Sequence, residues 1–436
     1  MKLRSRLFTT PRAAASSADN TVTSPVNATP SFSKLLPSDA SIDSDISQDT
    51  SSSNSTSNSS LQSHVSLQTL PSLPSLQSLS HLDTRRLSLS PPIALPFLYP
   101  TTSLHFTSLA LSGSLLYSAS GHQITVHDST TLTHLDTFNS DGESSGSVKS
   151  IVFSNGKIFT AQQDGKIRAW KLTASKRHKL IATLPSVTDR FRHLAWPKSY
   201  VQVRRHKKRL WIEHNDAVSG LEVNNGLIYS VSWDKTLKIW RVKDMKCLES
   251  ITAHDDAINA VAVSRDGTVY TGSADRRIRV WAKPVGDAKH ALIATLERHK
   301  SAVNALALNS DGSVLFSGAC DRSILVWGRE DSSSYMAVIG ALRGHDKAIL
   351  SLINVSEFLV SGSADRTVRI WRRENEGQFF CLAVLEGHLK PVKSLAATFG
   401  SPSDILSVFS GSLNGEIKAW RIRVSQEGDS SRTSHY

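Results

Sequence analysis

A histidine, a hydroxyl residue and an aspartate recur together along this chain, the three types that relay a proton to a nucleophile in hydrolases. The sets are His214, Ser230 and Asp234; His254, Thr271 and Asp275; His299, Ser317 and Asp321; His345, Ser361 and Asp365. A fifth, His388 and Ser410, has Asn414 where the acid should stand. Each ends on a tryptophan six residues after the acid: Trp240, Trp281, Trp327, Trp371 and Trp420. An earlier copy has Thr160, Asp164 and Trp170 without a histidine in register. A catalyst needs one such set, not one per copy. Repetition instead marks buried polar groups that satisfy one another, so the sets are read as structural struts.

The elements that position them follow from the period. The tryptophans are 70, 41, 46, 44 and 49 residues apart, and periods of this size signal a repeat architecture. Runs such as TVRIW and TLKIW alternate as half-buried strands do, and the polar turn at Asp365-Arg366 closes a hairpin. With SGSADRTVRIW, YTGSADRRIRVW and FSGACDRSILVW agreeing at several positions, the chain resembles the WD-repeat β-propeller family from about residue 95 to 424. That resemblance implies an all-β, seven-bladed propeller, one four-stranded blade per repeat, with each His, hydroxyl, acid and Trp joined by hydrogen bonds. The first blade is degenerate, with Gly121 near the expected acid and His127 in place of Trp. After Trp420 no further apolar strand follows, so blade seven needs an outer strand from elsewhere to avoid an open edge. In the family the N-terminus supplies it, and alignment selects LPFLY, residues 95–99, with VSLQTL, 65–70, as second candidate.

Residues 1–90 form a Ser/Thr-rich region, exemplified by SQDTSSSNSTSNSS, too poor in apolar residues to offset its ordering entropy. They are expected to be disordered, ahead of a propeller at 91–424 and a flexible tail at 425–436. Within RRLSLSPP, Ser88 suits a basophilic kinase and Ser90 a proline-directed one; either phosphate adds up to about two negative charges. Three cysteines without metal-ligand spacing argue against zinc and disulfides, and no metal or cofactor is expected. No apolar run reaches the length of a membrane span. A soluble protein of cytoplasm and nucleus is expected, with no membrane and no small-molecule substrate.

The net charge of +12 is concentrated: residues 172–213 hold eleven Lys/Arg against Asp189 and Glu213. The long first interval reflects a basic insertion, 186–213, between blades two and three. Its strands YVQV and LWI flank Arg204, Arg205, His206, Lys207, Lys208 and Arg209, which predicts a hairpin with a basic tip. The run reads as a nuclear import sequence, a phosphate-contacting patch for nucleic acid, or a site for an acidic or phosphorylated protein segment. By the family's pattern the insertion overhangs the face bearing the acid turns. On that face the pattern also places Lys235, Arg276, Arg322 and Arg366 after the turn acids, Lys149, Asn259, Asn304 and Lys393 on the inner strands, and Trp233 at the rim.

No glycine-rich phosphate cradle, HExxH or GxSxG elbow occurs. The reading is a non-enzymatic scaffold or adaptor for protein partners. LQTLPSLPSLQ, LPSVTDRFR and YVQVRRHKKRLWIEHNDAVSGL resemble plant WD-repeat proteins of the JINGUBANG type, which implies a regulator acting through partners such as a transcription factor in pollen or growth control. Two alternatives stay open. One is a substrate receptor of a cullin ubiquitin ligase, against which stands the absence of Asp after the repeat tryptophans; the other is an RNA-associated propeller using the basic insertion.

Overall fold

The computed structural model describes residues 87–89, 93–94, 106–140, 146–204, 207–329, 336–373, 379–400 and 404–424. It is a seven-bladed β-propeller, and blades one to six are each a four-stranded antiparallel meander. Blade one runs from Phe106–Ser112 to His134–Phe138, blade two from Val148–Ser154 to His178–Leu184, and blade three from Val218–Asn224 to Lys246–Thr252. Blades four, five and six start at Ile258–Val263, Val303–Leu308 and Ile349–Val355. The first strand of each blade is innermost and packs on the first strand of the next, and Val392–Gly400 of blade seven returns to Phe106–Ser112.

Apolar side chains alternate along these strands and fill the layers between blades. Trp240 and Val242 of blade three share a buried cluster with Phe159, Ile167 and Leu184 of blade two. Phe358, Val360 and Ile370 of blade six share one with Val392, Val408 and Trp420 of blade seven. The blades approach closely where a glycine follows the hydroxyl of the set. A Cβ on Gly318 would overlap Ile349, and one on Gly411 would overlap the ring of Phe106. Polar side chains tie inner strands together across blades, among them Ser150 and Ser394, whose Oγ atoms accept from Leu221 N and Leu109 N. Ser219 Oγ donates to Ile258 O at 2.5 Å, Asn259 Nδ2 to Val303 O at 3.0 Å and Asn304 Nδ2 to Ile349 O at 2.9 Å. Asn259 and Asn304 therefore act within the ring of blades.

Blade seven holds Ile405–Ser412 and Ile417–Val424 beside its inner strand, and its outer position is taken from the other end of the chain. Leu87–Leu89 pairs antiparallel with the last strand, Ser88 opposite Arg423, and Ile93–Ala94 continues the ladder opposite Ala419 and Lys418. The segment expected there, 95–99, lies outside the described residues, and the pairing comes from positions closer to the N-terminus. Leu87–Leu89 also falls inside the stretch expected to be disordered, so Ser88 stands in a paired strand; Ser90, the remainder of 1–90 and the tail 425–436 lie outside the described residues. A strand borrowed from afar satisfies the backbone groups that an open edge would leave to water.

Candidate functional site

The repeated sets are joined by hydrogen bonds within each blade. In blade three His214 Nδ1 lies 3.2 Å from Asp234, His214 Nε2 lies 2.8 Å from Ser230 Oγ, and Trp240 Nε1 donates to the same oxygen at 2.8 Å. Blade four repeats this with His254–Asp275 at 2.8 Å, His254–Thr271 Oγ1 at 2.8 Å and Trp281–Thr271 at 3.0 Å. Blade five has 3.0, 2.7 and 2.8 Å for His299, Ser317, Asp321 and Trp327. Blade six has 2.7, 2.8 and 2.8 Å for His345, Ser361, Asp365 and Trp371. Each hydroxyl is fully buried, and its oxygen is engaged by imidazole and indole at once. A nucleophile enclosed in this way meets no substrate. Burial pushes His214, His254 and His345 below the ordinary histidine range, against the pull of the carboxylates. The carboxylates Asp234, Asp275 and Asp365 are held below theirs because bonds to the imidazoles outweigh burial.

Blade seven departs from the expected set. His388 Nε2 meets Ser410 Oγ at 2.7 Å and Trp420 Nε1 donates to it at 2.8 Å, but His388 Nδ1 is 3.2 Å from Glu416 Oε2. Asn414 is not a member; its Oδ1 accepts from Ser412 Oγ and from Glu416 N within the turn. Glutamate two residues on, with one more methylene, supplies the carboxylate that Asn414 cannot. Blade two substitutes an amide: Gln162 Nε2 and Trp170 Nε1 both donate to Thr160 Oγ1 at 3.0 Å, while Asp164 pairs with Arg168 at 2.9 Å. In blade one, burial and neighbouring His134 push the imidazole of His127 down to about 4.

A further polar clasp had no sequence signal, because its members lie far apart. His178 of blade two meets Asp136 of blade one at 2.7 Å and Tyr117 Oη at 3.3 Å, with Phe138 stacked on its ring. His290 and Glu249 repeat the arrangement between blades four and three, at 3.1 Å.

The face bearing the acid turns has a different character. Trp233 is 40% exposed there, and Lys149 Nζ lies 5.5 Å above its ring, a cation–π contact. Lys393, on the innermost strand of blade seven, is held below the ordinary lysine range by desolvation and then by repulsion from Lys149. Lys149 is lowered by burial. Around this centre Lys235, Arg276, Arg322 and Arg366 are exposed, each at positive φ between 70° and 76°. The same turn position in blades two and seven is Gly165 and Gly415, and a side chain in this region costs about 1 kcal/mol relative to glycine. Lys235 Nζ donates to Asp255 O at 2.7 Å. A groove between blades four and five adds Arg277 and Arg298, partly matched by Asp256 and Glu297.

The described part of the basic insertion lies beside the propeller, with Arg209 Nη1 donating to His214 O at 3.5 Å near the acid turn at Gly165. It packs on the flank of blade three, because Asp189 Oδ2 accepts from Cys247 N at 3.5 Å, at the end of the outermost strand remote from the acid turn. Lys238, almost fully buried, donates to Trp211 O and Ser250 Oγ, both at 2.5 Å. Leu210 and Ile212 enter the apolar layer between blades two and three. The predicted hairpin is present as Tyr200–Arg204 and Lys207–Leu210, while Arg205 and His206 at its tip lie outside the described residues. A helix, Val187–Leu194, precedes it, capped by Ser186 Oγ accepting from Asp189 N at 3.1 Å. The hairpin was legible from its flanking strands; the helix was not, since eight residues give too little periodicity.

The profile described as "WD domain, G-beta repeat" matches residues 206–241, 245–282, 290–328, 336–372 and 379–421. These five segments carry WD repeats. Autophagy-related protein 16 of Arabidopsis thaliana is 26% identical to this WD-repeat chain over 190 residues, 38% of the chain and 36% of that protein. Protein Notchless of Drosophila melanogaster is 37% identical over 82 residues, 19% of the chain and 16% of that protein. An uncharacterized WD repeat-containing protein of Schizosaccharomyces pombe is 36% identical over 74 residues, 16% of the chain and 14% of that protein. The chain thus matches well under half the length of each of these curated relatives. WD-repeat propellers generally act as non-enzymatic scaffolds that bind proteins. Among the described residues no group of His, Cys, Asp or Glu is arranged to hold a metal ion, and no helix is long and apolar enough to cross a membrane.

Proposed function

We propose that this WD-repeat protein is an adaptor whose acid-turn face captures acidic or phosphorylated segments of protein partners. The observation that carries the reading is the exposed Trp233 under Lys149, whose charge also acts on Lys393. An aromatic platform flanked by partly desolvated cations favours an anionic side chain lying against an apolar one. Four turn cations held where glycine would be less strained add to the same field. On the resemblance to plant proteins of the JINGUBANG type, the partner is a transcription factor, and the chain works in cytoplasm and nucleus.

The test is a titration of acidic, phosphorylated and uncharged versions of one peptide against the full chain at two salt concentrations. Trp233→Ala and the pair Lys149→Ala/Lys393→Ala are compared with the parent. Preference for the charged peptides, with at least about tenfold weaker binding in both variants, is the expected result. Equal affinity for the uncharged peptide, or binding indifferent to both variants, would refute it. Localisation is checked separately with a fluorescent fusion in which Arg204–Arg209 are replaced by serine; loss of nuclear signal is expected.

A further inference from the structure

The helix Val187–Leu194 sits inside out. Amphipathic surface helices turn their apolar stripe to the core and their charges to water. Here Asp189 is buried against Cys247 N, Arg190 pairs with Glu213 at 2.6 Å, and His193 stands edge-on to Trp211. Val187, Phe191 and Leu194, at the i, i+4, i+7 spacing of one helical stripe, are 68%, 68% and 56% exposed. Trp196 and Val201 follow on the same insertion at 67% and 51%. Large apolar residues clustered in the open this way mark an interaction surface. The helix is anchored by its polar side, which leaves the stripe facing outward without a partner in the propeller.

Charge identifies what covers it. Residues 186–213 contain eight Lys/Arg and two acids, and both acids are used internally, Asp189 by Cys247 N and Glu213 by Arg190. Arg192, Lys198 and Lys208 are exposed around the stripe. A second copy of the chain would bring these same cations face to face across an isologous contact, which disfavours self-association. Three of the five exposed apolar residues, Val187, Leu194 and Val201, give a nucleic acid base no ring to stack on, which leaves only Phe191 and Trp196 for that purpose. We infer that the flank of blade three is a second docking surface, built for a helical partner segment with Leu or Phe along one stripe and Asp or Glu elsewhere. It is distinct from the acid-turn face and uses none of its residues.

The test uses the full chain and a labelled sixteen-residue peptide carrying Leu and Phe at i, i+3, i+4 and i+7 and Asp or Glu elsewhere. Its comparators are the same peptide with Ser for Leu and Phe, and a single-stranded RNA of equal length, read by fluorescence anisotropy at low and moderate salt. Phe191→Ser/Trp196→Ser should weaken peptide binding at least about thirtyfold, and Lys198→Glu/Lys208→Glu about tenfold with a smaller salt dependence. The serine peptide should bind at least about thirtyfold more weakly than its parent. All four positions are exposed, so melting temperatures should not move, and the two variants fail for different reasons. Trp233→Ala should leave this binding unchanged, which separates it from the acid-turn reading. The proposal is overturned if the parent chain does not bind the peptide saturably, if Phe191→Ser/Trp196→Ser has no effect, or if Trp233→Ala abolishes binding. RNA binding that depends on Phe191 and Trp196, or a dimer in sedimentation equilibrium that those changes dissociate, would equally overturn it.

Discussion

Replacing Glu416 by alanine tests how blade seven holds its histidine. The carboxylate lies 3.2 Å from His388 Nδ1, whose ring is fully enclosed, and 3.3 Å from Lys418 Nζ. A buried hydrogen bond to a charged group contributes about 1.5–3 kcal/mol, and removing one partner leaves the other desolvated and unmatched. Lys418 keeps its bond to Gly387 O at 2.8 Å, so most of the loss falls on the imidazole, and Glu416→Ala should cost about 2 kcal/mol. Chemical denaturation of the single variants and of Glu416→Ala/His388→Ala gives the coupling directly, with about 1.5 kcal/mol expected between the two sites. Asn414→Ala should cost less than 1 kcal/mol and show no coupling to His388, because it bonds only within its turn. Adding Asn414→Asp to Glu416→Ala should recover part of the loss by placing a carboxylate where Asp365 stands in blade six. If Asn414→Ala proves as costly as Glu416→Ala, or if Glu416 and His388 behave independently, the assignment is wrong.

Three further outcomes follow from the same structure. His214, His254, His345 and His388 are all held below the ordinary 6.5 by burial; the unfolded chain therefore takes up the extra protons, and melting temperature should fall as pH drops below about 6.5, ahead of the carboxylate losses near pH 4. Glu222, on the inner strand of blade three, is raised by burial to about 7; its folded form keeps a proton the unfolded form has lost, so stability declines between about pH 4.5 and 7, and Glu222→Gln should raise the melting temperature at pH 8 but not below pH 4.5. Proline at both Ser88 and Ile93 should break the outer ladder of blade seven and destabilise the propeller by roughly 2 kcal/mol in denaturant titrations, whereas proline substitutions within 95–99 should have a smaller effect.

Much of the frame could be read from residue spacing, because a His, a hydroxyl, an acid and a Trp in fixed register are tied to strand geometry and not to neighbours. The exceptions arise where a different residue reaches the same point. Glu416 escapes a search at the acid's position because a longer side chain bridges from two residues further along the same turn. The His178–Asp136 clasp spans 42 residues and leaves no local pattern. The basic insertion was visible as charge, but its placement depends on buried Lys238 and Asp189, whose partners are Trp211 O and Cys247 N. Backbone groups carry no residue signature. The closing strands were foreseen in kind and not in register, since short apolar segments preceding the first blade are nearly interchangeable in composition.

The outer ladder of blade seven joins residues 87 and 424, 337 positions apart. Ribosomes add about 5–20 residues each second, so the N-terminal strands are made tens of seconds before the edge they complete exists. Throughout that interval blades one to six can each form from contiguous chain, while the strands at 87–94 wait without a template. Synthesis order therefore makes the earliest described β-segment the last to be seated, and nascent chains should depend on whatever shields that segment until its partner strand has been made.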